Sequence, residues 1–248
     1  NKMFQKEKIY IAGPECFYTG GYDMLAAMRA ESIAKGFGVT LPNDHPLDME
    51  NPDLRKRADS IFADLKAIML DTTVVIADLE AYRGSEPDSG TIYELGMAYA
   101  KGARCYGYTR DKRPLVWKDQ KYTLKEGKVY DEHGKEAPYK DLPFSPCIIA
   151  STKIAEGDYG DCLKMLMTDI EEEKKYKGLR GYSVDYTAAK TYKSDRPVVY
   201  LAGPERYDKD AKEIYKKRKE LCASYGLQAF TPADWAEGVE KMDTDCPY

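Results

Sequence analysis

The chain has 248 residues, 43% of them apolar and 32% charged, with a net charge of -4. That length admits one large domain or two small ones and can bury a core without staples. The composition excludes a collagen-like or wholly disordered chain, and the slight acidity argues against a nucleic-acid sleeve, which needs a basic field.

The chain opens Asn1-Lys2-Met3, with Met3 read as the natural start. Residues 8–12 are a short β-branched and aromatic run and predict a buried strand. Residues 21–35 carry Met24, Leu25, Met28 and Ile33 at helical spacing, and Gly36 ends that helix. Phe37 to Leu41 predicts a second strand, and Pro42 to Pro52 a loop rich in Pro, Asn and Asp. Over 54–70, Ile61, Leu65 and Ile68 share one helical face. Val74 to Ala77 is a fully apolar strand ending at Asp78. A polar loop, Glu80 to Ser89, leads into a helix from Gly90 to Lys101, stopped by Gly102. Cys105 to Tyr108 reads as the next strand. Residues 116–141 break the alternation, and Val129 to Glu136 reads as a hairpin insertion. Cys147-Ile148-Ile149-Ala150 predicts the last strand, and Leu163, Leu166, Met167 and Ile170 a closing helix over 157–175.

An internal repeat follows. Lys8-Ile9-Tyr10-Ile11-Ala12-Gly13-Pro14-Glu15 returns 190 positions later as Val198-Val199-Tyr200-Leu201-Ala202-Gly203-Pro204-Glu205. In the same register Gly36 meets Gly226, Pro42 meets Pro232 and Asp44 meets Asp234, which points to a tandem duplication. The second copy stops at Tyr248, so the unit either continues further or is vestigial. The expected division is a first domain over 3–175, a Lys-, Tyr- and Gly-rich linker over 176–196, and an incomplete second repeat over 197–248.

Continuous apolar strands alternating with helices imply an α/β protein with a doubly wound parallel sheet. Ligands in such sheets bind beyond the carboxyl ends of the strands. Six scattered Cys without a CxxC pair predict free thiols in a reducing, cytoplasmic setting. With two His in the chain, the zinc hydrolase, Cys-His and Ser-His-Asp readings all weaken. No apolar run reaches membrane-spanning length, and no Walker A, strand-linked GxGxxG or HExxH sequence is present.

Three signals fall at strand carboxyl ends. Ala12-Gly13-Pro14 is a sharp turn where a ligand could approach the backbone, or a plain turn. Tyr10 precedes it and could orient a carboxylate. Asp78 either faces the cleft or caps a loop. Glu86-Pro87-Asp88-Ser89-Gly90-Thr91-Ile92-Tyr93-Glu94 opens a helix. Thr91 to Glu94 fits a capping box, in which the Glu reaches back to a backbone N–H. The other reading makes Glu94 a nucleophile, kept ionised by the helix dipole, with Asp88 or Asp64 as the acid that protonates a leaving group. On amphipathicity alone Asp64 is a solvated helix position.

Tyr10 to Pro14, Asp64-Leu65, Val74 to Asp78 and Asp88 through Ala98 together resemble the nucleoside 2-deoxyribosyltransferases, and Ala77 to Thr91 resembles their protozoal-type branch. The resemblance covers residues 8–150 and touches the start of the second copy. It implies a flavodoxin-like fold with a five-stranded sheet and exchange of the base on a 2′-deoxynucleoside. It makes Glu94 the nucleophile, Tyr10 its holder, Asp88 the ligand of the sugar 5′-hydroxyl and Asp64 the proton-transfer group beside the base. Gly13 and Phe17 would line the pocket, with Asp78 and Gly90 also counted to the substrate side. The family completes its site with a residue of a neighbouring subunit, usually Asn, which implies a homo-oligomer. Ser145 stands at that place here. Related deoxynucleoside 5′-monophosphate N-glycosidases set serines around a phosphate, yet a carboxylate at position 88 would repel one. The expected partners are therefore unphosphorylated deoxynucleosides and free nucleobases, with no nucleic acid, membrane, cofactor or metal. Hydrolysis of a 5′-monophosphate and a non-catalytic nucleotide-binding module are the competing readings.

Overall fold

The computed structural model describes residues 4–45, 47–118, 121–137, 139–175 and 195–235. The described residues divide into two compact units, one within 4–118 and 141–175, the other within 121–137, 139–140 and 195–235. The expected linker lies outside the described residues except for positions 195 and 196.

The first unit follows the strand–helix alternation. Its elements are β1 (Lys8–Ala12), α1 (Gly21–Lys35), β2 (Gly38–Thr40), α2 (Leu54–Leu70), β3 (Val74–Asp78), α3 (Ser89–Lys101) and β4 (Arg104–Thr109). A short helix α4 (Leu115–Lys118) precedes the second unit's hairpin, β5 (Thr123–Lys125) and β6 (Lys128–Tyr130). The first unit then closes with α5 (Pro146–Ser151), β7 (Lys153–Glu156) and α6 (Tyr159–Lys175). Strands order β2-β1-β3-β4-β7 and every pair is parallel. Counted within the sheet this is 2-1-3-4-5, the flavodoxin-like order, and it reverses direction between β1 and β3.

Side chains alternate across the sheet with period two. Ile9, Ile11, Val74, Ile76, Tyr106 and Tyr108 enter one core with Leu25 of α1 and Leu163 and Leu166 of α6. Tyr10, Ala12, Val75, Ala77 and Cys105 enter the other with Ile68 of α2 and Leu95 and Ala98 of α3. All five residues of β3 are buried, as a central parallel strand requires.

Some expectations change. Cys147 to Ala150 is helical, not a strand: Ser145 caps the helix by accepting from the Cys147 N–H, and Pro146 fits its first turn. The last strand is β7 instead, whose Ile154 and Ala155 are buried beside β4. On α1, Met24 and Ile33 face solvent while Ser32 is buried, hydrogen-bonded to the Tyr159 hydroxyl at 2.7 Å. The expected hairpin over Val129 to Glu136 is present: Asp131 to Gly134 turns the chain and closes an antiparallel bridge between Tyr130 and Glu136. A further hairpin precedes it, turning at Glu126-Gly127, where both residues have positive φ as a two-residue I′ turn demands.

In the second unit, β8 (Val198–Tyr200) pairs in parallel with β9 (Gln228–Phe230) through α7 (Ala211–Ser224). Lys135 of the hairpin reaches Asp208 at 2.6 Å within this unit. Among the described residues no helix is long and apolar enough to cross a membrane.

Candidate active site

The direction reversal between β1 and β3 opens a crevice at the carboxyl ends of those strands. A cavity of about 520 Å³ lies there. Gly13, Cys16 and Phe17 line it from the turn after β1, and Tyr22 from the start of α1. Pro42, Leu47 and Met49 come from the loop after β2. Ala58, Ile61, Phe62 and Leu65 come from α2, and Asp88, Gly90, Thr91, Tyr93 and Glu94 from the start of α3. Its polar side chains gather at the α3 end, and the loop and α2 supply an apolar end. Ile61, which shares its helical face with the buried Ile68, serves this wall and is 43% exposed.

Glu94 sits on the face of α3 that meets the sheet, and Tyr10 projects from β1 on the same side. The Tyr10 hydroxyl donates to Glu94 Oε1 at 2.8 Å. Tyr10 is fully buried and Glu94 nearly so. The capping-box reading of Glu94 is thereby overturned. Asp88 is the N-cap, its Oδ2 accepting from the Thr91 N–H at 3.0 Å and the Thr91 hydroxyl at 3.2 Å. Thr91 lies inside the helix, so Glu94 is free to face the cavity.

Burial pushes the Glu94 carboxyl up to about 8. The Tyr10 hydrogen bond opposes the shift, and the charges of Asp88, Glu15 and Asp64 add to it. The helix dipole favours the anion at this end, but removal from water outweighs it. The phenol of Tyr10 is held well above its ordinary range by burial and by Glu94, so it stays a hydrogen-bond donor.

Asp64 is not a solvated helix position. It is fully buried on α2, with Oδ1 at 2.6 Å from Nδ1 of His45 and at 3.2 Å from the His45 backbone nitrogen. Its Oδ2 has no partner among the described residues. The charge of Asp64 reaches both Tyr10 and Glu94. Asp78 behaves as a loop cap: Oδ1 accepts from the Glu80 N–H at 2.8 Å. Phe17 is largely exposed at the cavity mouth, 6.1 Å from the Tyr82 ring. Ser145 caps α5, and neither it, Asp78, Asp64 nor Tyr10 is among the residues lining the cavity.

Sequence reasoning missed two residues. His45 gave no signal, since a lone His in a Pro- and Asp-rich loop reads as solvated. Glu15 gave one that went unused: it recurs, with the turn before it, at Glu205. Glu15 is fully buried, and its Oε1 accepts from the Tyr108 hydroxyl at 3.0 Å. The five described cysteines are free, and burial pushes the Cys16 thiol up to about 11, away from thiolate chemistry.

A model of the family described as Nucleoside 2-deoxyribosyltransferase matches residues 9–158. An uncharacterized protein, C191.05c of Schizosaccharomyces pombe, is 44% identical over 46 residues. That match takes in 18% of this chain and spans 22% of the curated relative's length. Among solved structures, a 2-desoxiribosyltransferase from Leishmania mexicana is 25% identical, covering 66% of this chain and 97% of its own, with a TM-score of 0.48. A 2-deoxyribosyltransferase from Bacillus psychrosaccharolyticus is 22% identical, covering 41% and 71%, with a TM-score of 0.34.

Proposed function

The chain belongs to the nucleoside 2-deoxyribosyltransferase family, and from that premise we propose that it moves 2-deoxyribose from one nucleobase to another through an ester on Glu94. The observation that carries this reading is the Glu94 carboxyl, buried at the polar end of the cavity and held by the Tyr10 hydroxyl. In the first half-reaction a Glu94 oxygen attacks C1′ and the C1′–N bond breaks. The bonding pair leaves on the base nitrogen, which takes a proton from the Asp64 side. A second base then attacks C1′ from the face the first one left, its N–H proton passes to the Asp64 side, and the Glu94 ester bond breaks with its electron pair returning to the carboxylate. Two displacements give retention. Lacking a 2′-hydroxyl, the sugar bears positive charge at C1′ more readily, so a carboxylate suffices as partner.

The division of the cavity supports a placing of the substrate in two halves. In this reading Asp88 and Thr91 meet the sugar and its 5′-hydroxyl, and the apolar wall of Leu47, Ile61 and Leu65 suits the flat faces of a base. The Asp88 hydrogen bonds both fall on Oδ2, which leaves Oδ1 for a ligand hydroxyl. Its negative charge disfavours a 5′-phosphate. Assembly into a homo-oligomer in the cytoplasm belongs to the same proposal, and sedimentation of the purified protein tests the assembly.

Incubation with deoxyinosine and free adenine, followed by chromatography, is the direct test. Deoxyadenosine should form, and intact-mass measurement should find a deoxyribosyl adduct that Glu94→Ala abolishes. Release of deoxyribose 5-phosphate from a deoxynucleotide, faster than any base exchange, would establish the hydrolase reading in its place. Ligand protection without turnover would point to a binding module.

A further inference from the structure

Glu15 stands directly behind the cavity wall and takes no part in the chemistry proposed above. Its side chain folds back beneath Gly13, so closely that a Cβ at position 13 would overlap Oε2. Gly13 itself is extended, with φ 171°, a conformation open to any residue. The approach of the acid, and not the backbone angle, is what demands glycine there. Gly13 and Cys16, on either side of this turn, both line the cavity. The Tyr108 hydroxyl donates to Oε1 from the other side at 3.0 Å, and the carboxyl is buried against that of Asp78, with no donor to Oε2 among the described residues.

The same turn at 203–205 shows what is unusual. Gly203 has φ 170° and its Cβ would overlap Glu205 Oε2 in the same way. There, however, Arg218 pairs with Glu205 at 2.7 Å and holds its carboxyl below the ordinary range. The position equivalent to Arg218 in the first segment is Met28, which packs against the core. Glu15 thus pairs with no cation among the described residues. The titratable groups facing it are Tyr108 of β4, Asp78 at the end of β3, Cys16 and Tyr18 of its own turn, and Glu94 of α3. All of these are neutral or acidic groups. Arg110 acts on Asp78.

We propose that Glu15 is a positioning residue: wedged between Gly13 and Tyr108, it fixes the backbone wall against which the sugar rests, and its charge raises the pH at which Glu94 ionises. The inference rests on the sugar-binding reading of this cavity. Burial, and then the Asp78 charge, push the Glu15 carboxyl up to about 7. Above that pH it becomes an anion beside Glu94, whose own ionisation it opposes. Glutamine at position 15 would keep the acceptor for Tyr108 and could never ionise. Alanine would remove the wedge.

The test uses the full chain in three forms, wild type, Glu15→Gln and Glu15→Ala. The Gln form should keep KM within about twofold, and the rising limb of its kcat/KM against pH should move down by about half a unit or more. The Ala form should raise KM about tenfold while kcat changes far less. An unmoved limb in the Gln form, or equal KM values for the Gln and Ala forms, overturns the proposal. Infrared difference spectra of wild type against Glu15→Gln, recorded across roughly pH 5 to 9, read the acid without any turnover. A carboxylic C=O band near pH 6 that titrates away before the limb near 8 supports a Glu15 charge facing Glu94 in the active range, and its absence near pH 6 or its persistence above 8 overturns the proposal. Should the wild type exchange no bases at all, the transferase reading fails, and the infrared result still decides the state of Glu15.

Discussion

Residues 8–44 and residues 198–234 share much of their backbone hydrogen bonding. Gly36 and Phe37 donate to Ile33 and Ser32 after α1. Gly226 and Leu227 donate to Ala223 and Cys222 after α7. Gly38 donates to Glu7 and Gln228 to Pro197, and the strand registers correspond. Arg29 pairs with Asp44 as Lys219 pairs with Asp234. What differs is the neighbour on the far side. Strand β1 lies between β2 and β3, whereas the sheet of β8 has two strands among the described residues. Tyr10 is accordingly buried against Glu94, and Tyr200 is 56% exposed. A strand, turn and helix are written into 37 residues, but a site is not. It needs the acid that a third strand and its helix bring from far along the chain.

This contrast can be broken at several points. Glu94→Ala should lower base exchange by about a thousandfold or more, while Glu205→Gln leaves it within about twofold, read by chromatography of the products. Tyr10→Phe should cost about tenfold to a hundredfold in kcat and move the rising pH limb upward, because the hydrogen bond that favours the Glu94 anion is gone. Tyr200→Phe should do neither. In wild type that limb should centre near 8, with kcat/KM falling tenfold per unit below it, since the nucleophile is the ionised form.

Stability should move in the opposite sense. Glu94 keeps its proton to about 8 in the folded chain against 4.5 ordinarily, so between those values the folded state holds more protons and loses stability as pH rises. By linkage Glu94→Gln should therefore gain roughly 4 kcal/mol on wild type between pH 5 and pH 8.5, measured by urea unfolding. The smallest effect is expected from EDTA, which should leave the exchange rate unchanged.

Much of this is legible in the residues. Strand–helix alternation, the glycine stops at Gly36 and Gly102 and the pairing of Tyr10 with an acid all follow from pattern and position. Ile148-Ile149 misleads, because a short β-branched run reads alike in a strand and a buried helix, and the Ser145-Pro146 start decides it. Asp64 misleads because burial of a single acid on an amphipathic helix depends on what the loop at His45 lays over it. The two uses of the apolar face of α2, core at Ile68 and cavity at Ile61, share one periodicity and separate only when the helix is docked.

Among the described residues the second unit is stitched from two stretches, a hairpin within 121–140 and a later segment within 195–235, tied by Lys135 and Asp208. No single cut in the gene therefore yields both pieces whole. Ending the polypeptide at residue 185 strands the hairpin on the surviving half, and starting a fragment at 186 leaves Asp208 without its lysine. Anyone wishing to express either half alone must first excise or transplant those twenty-odd residues.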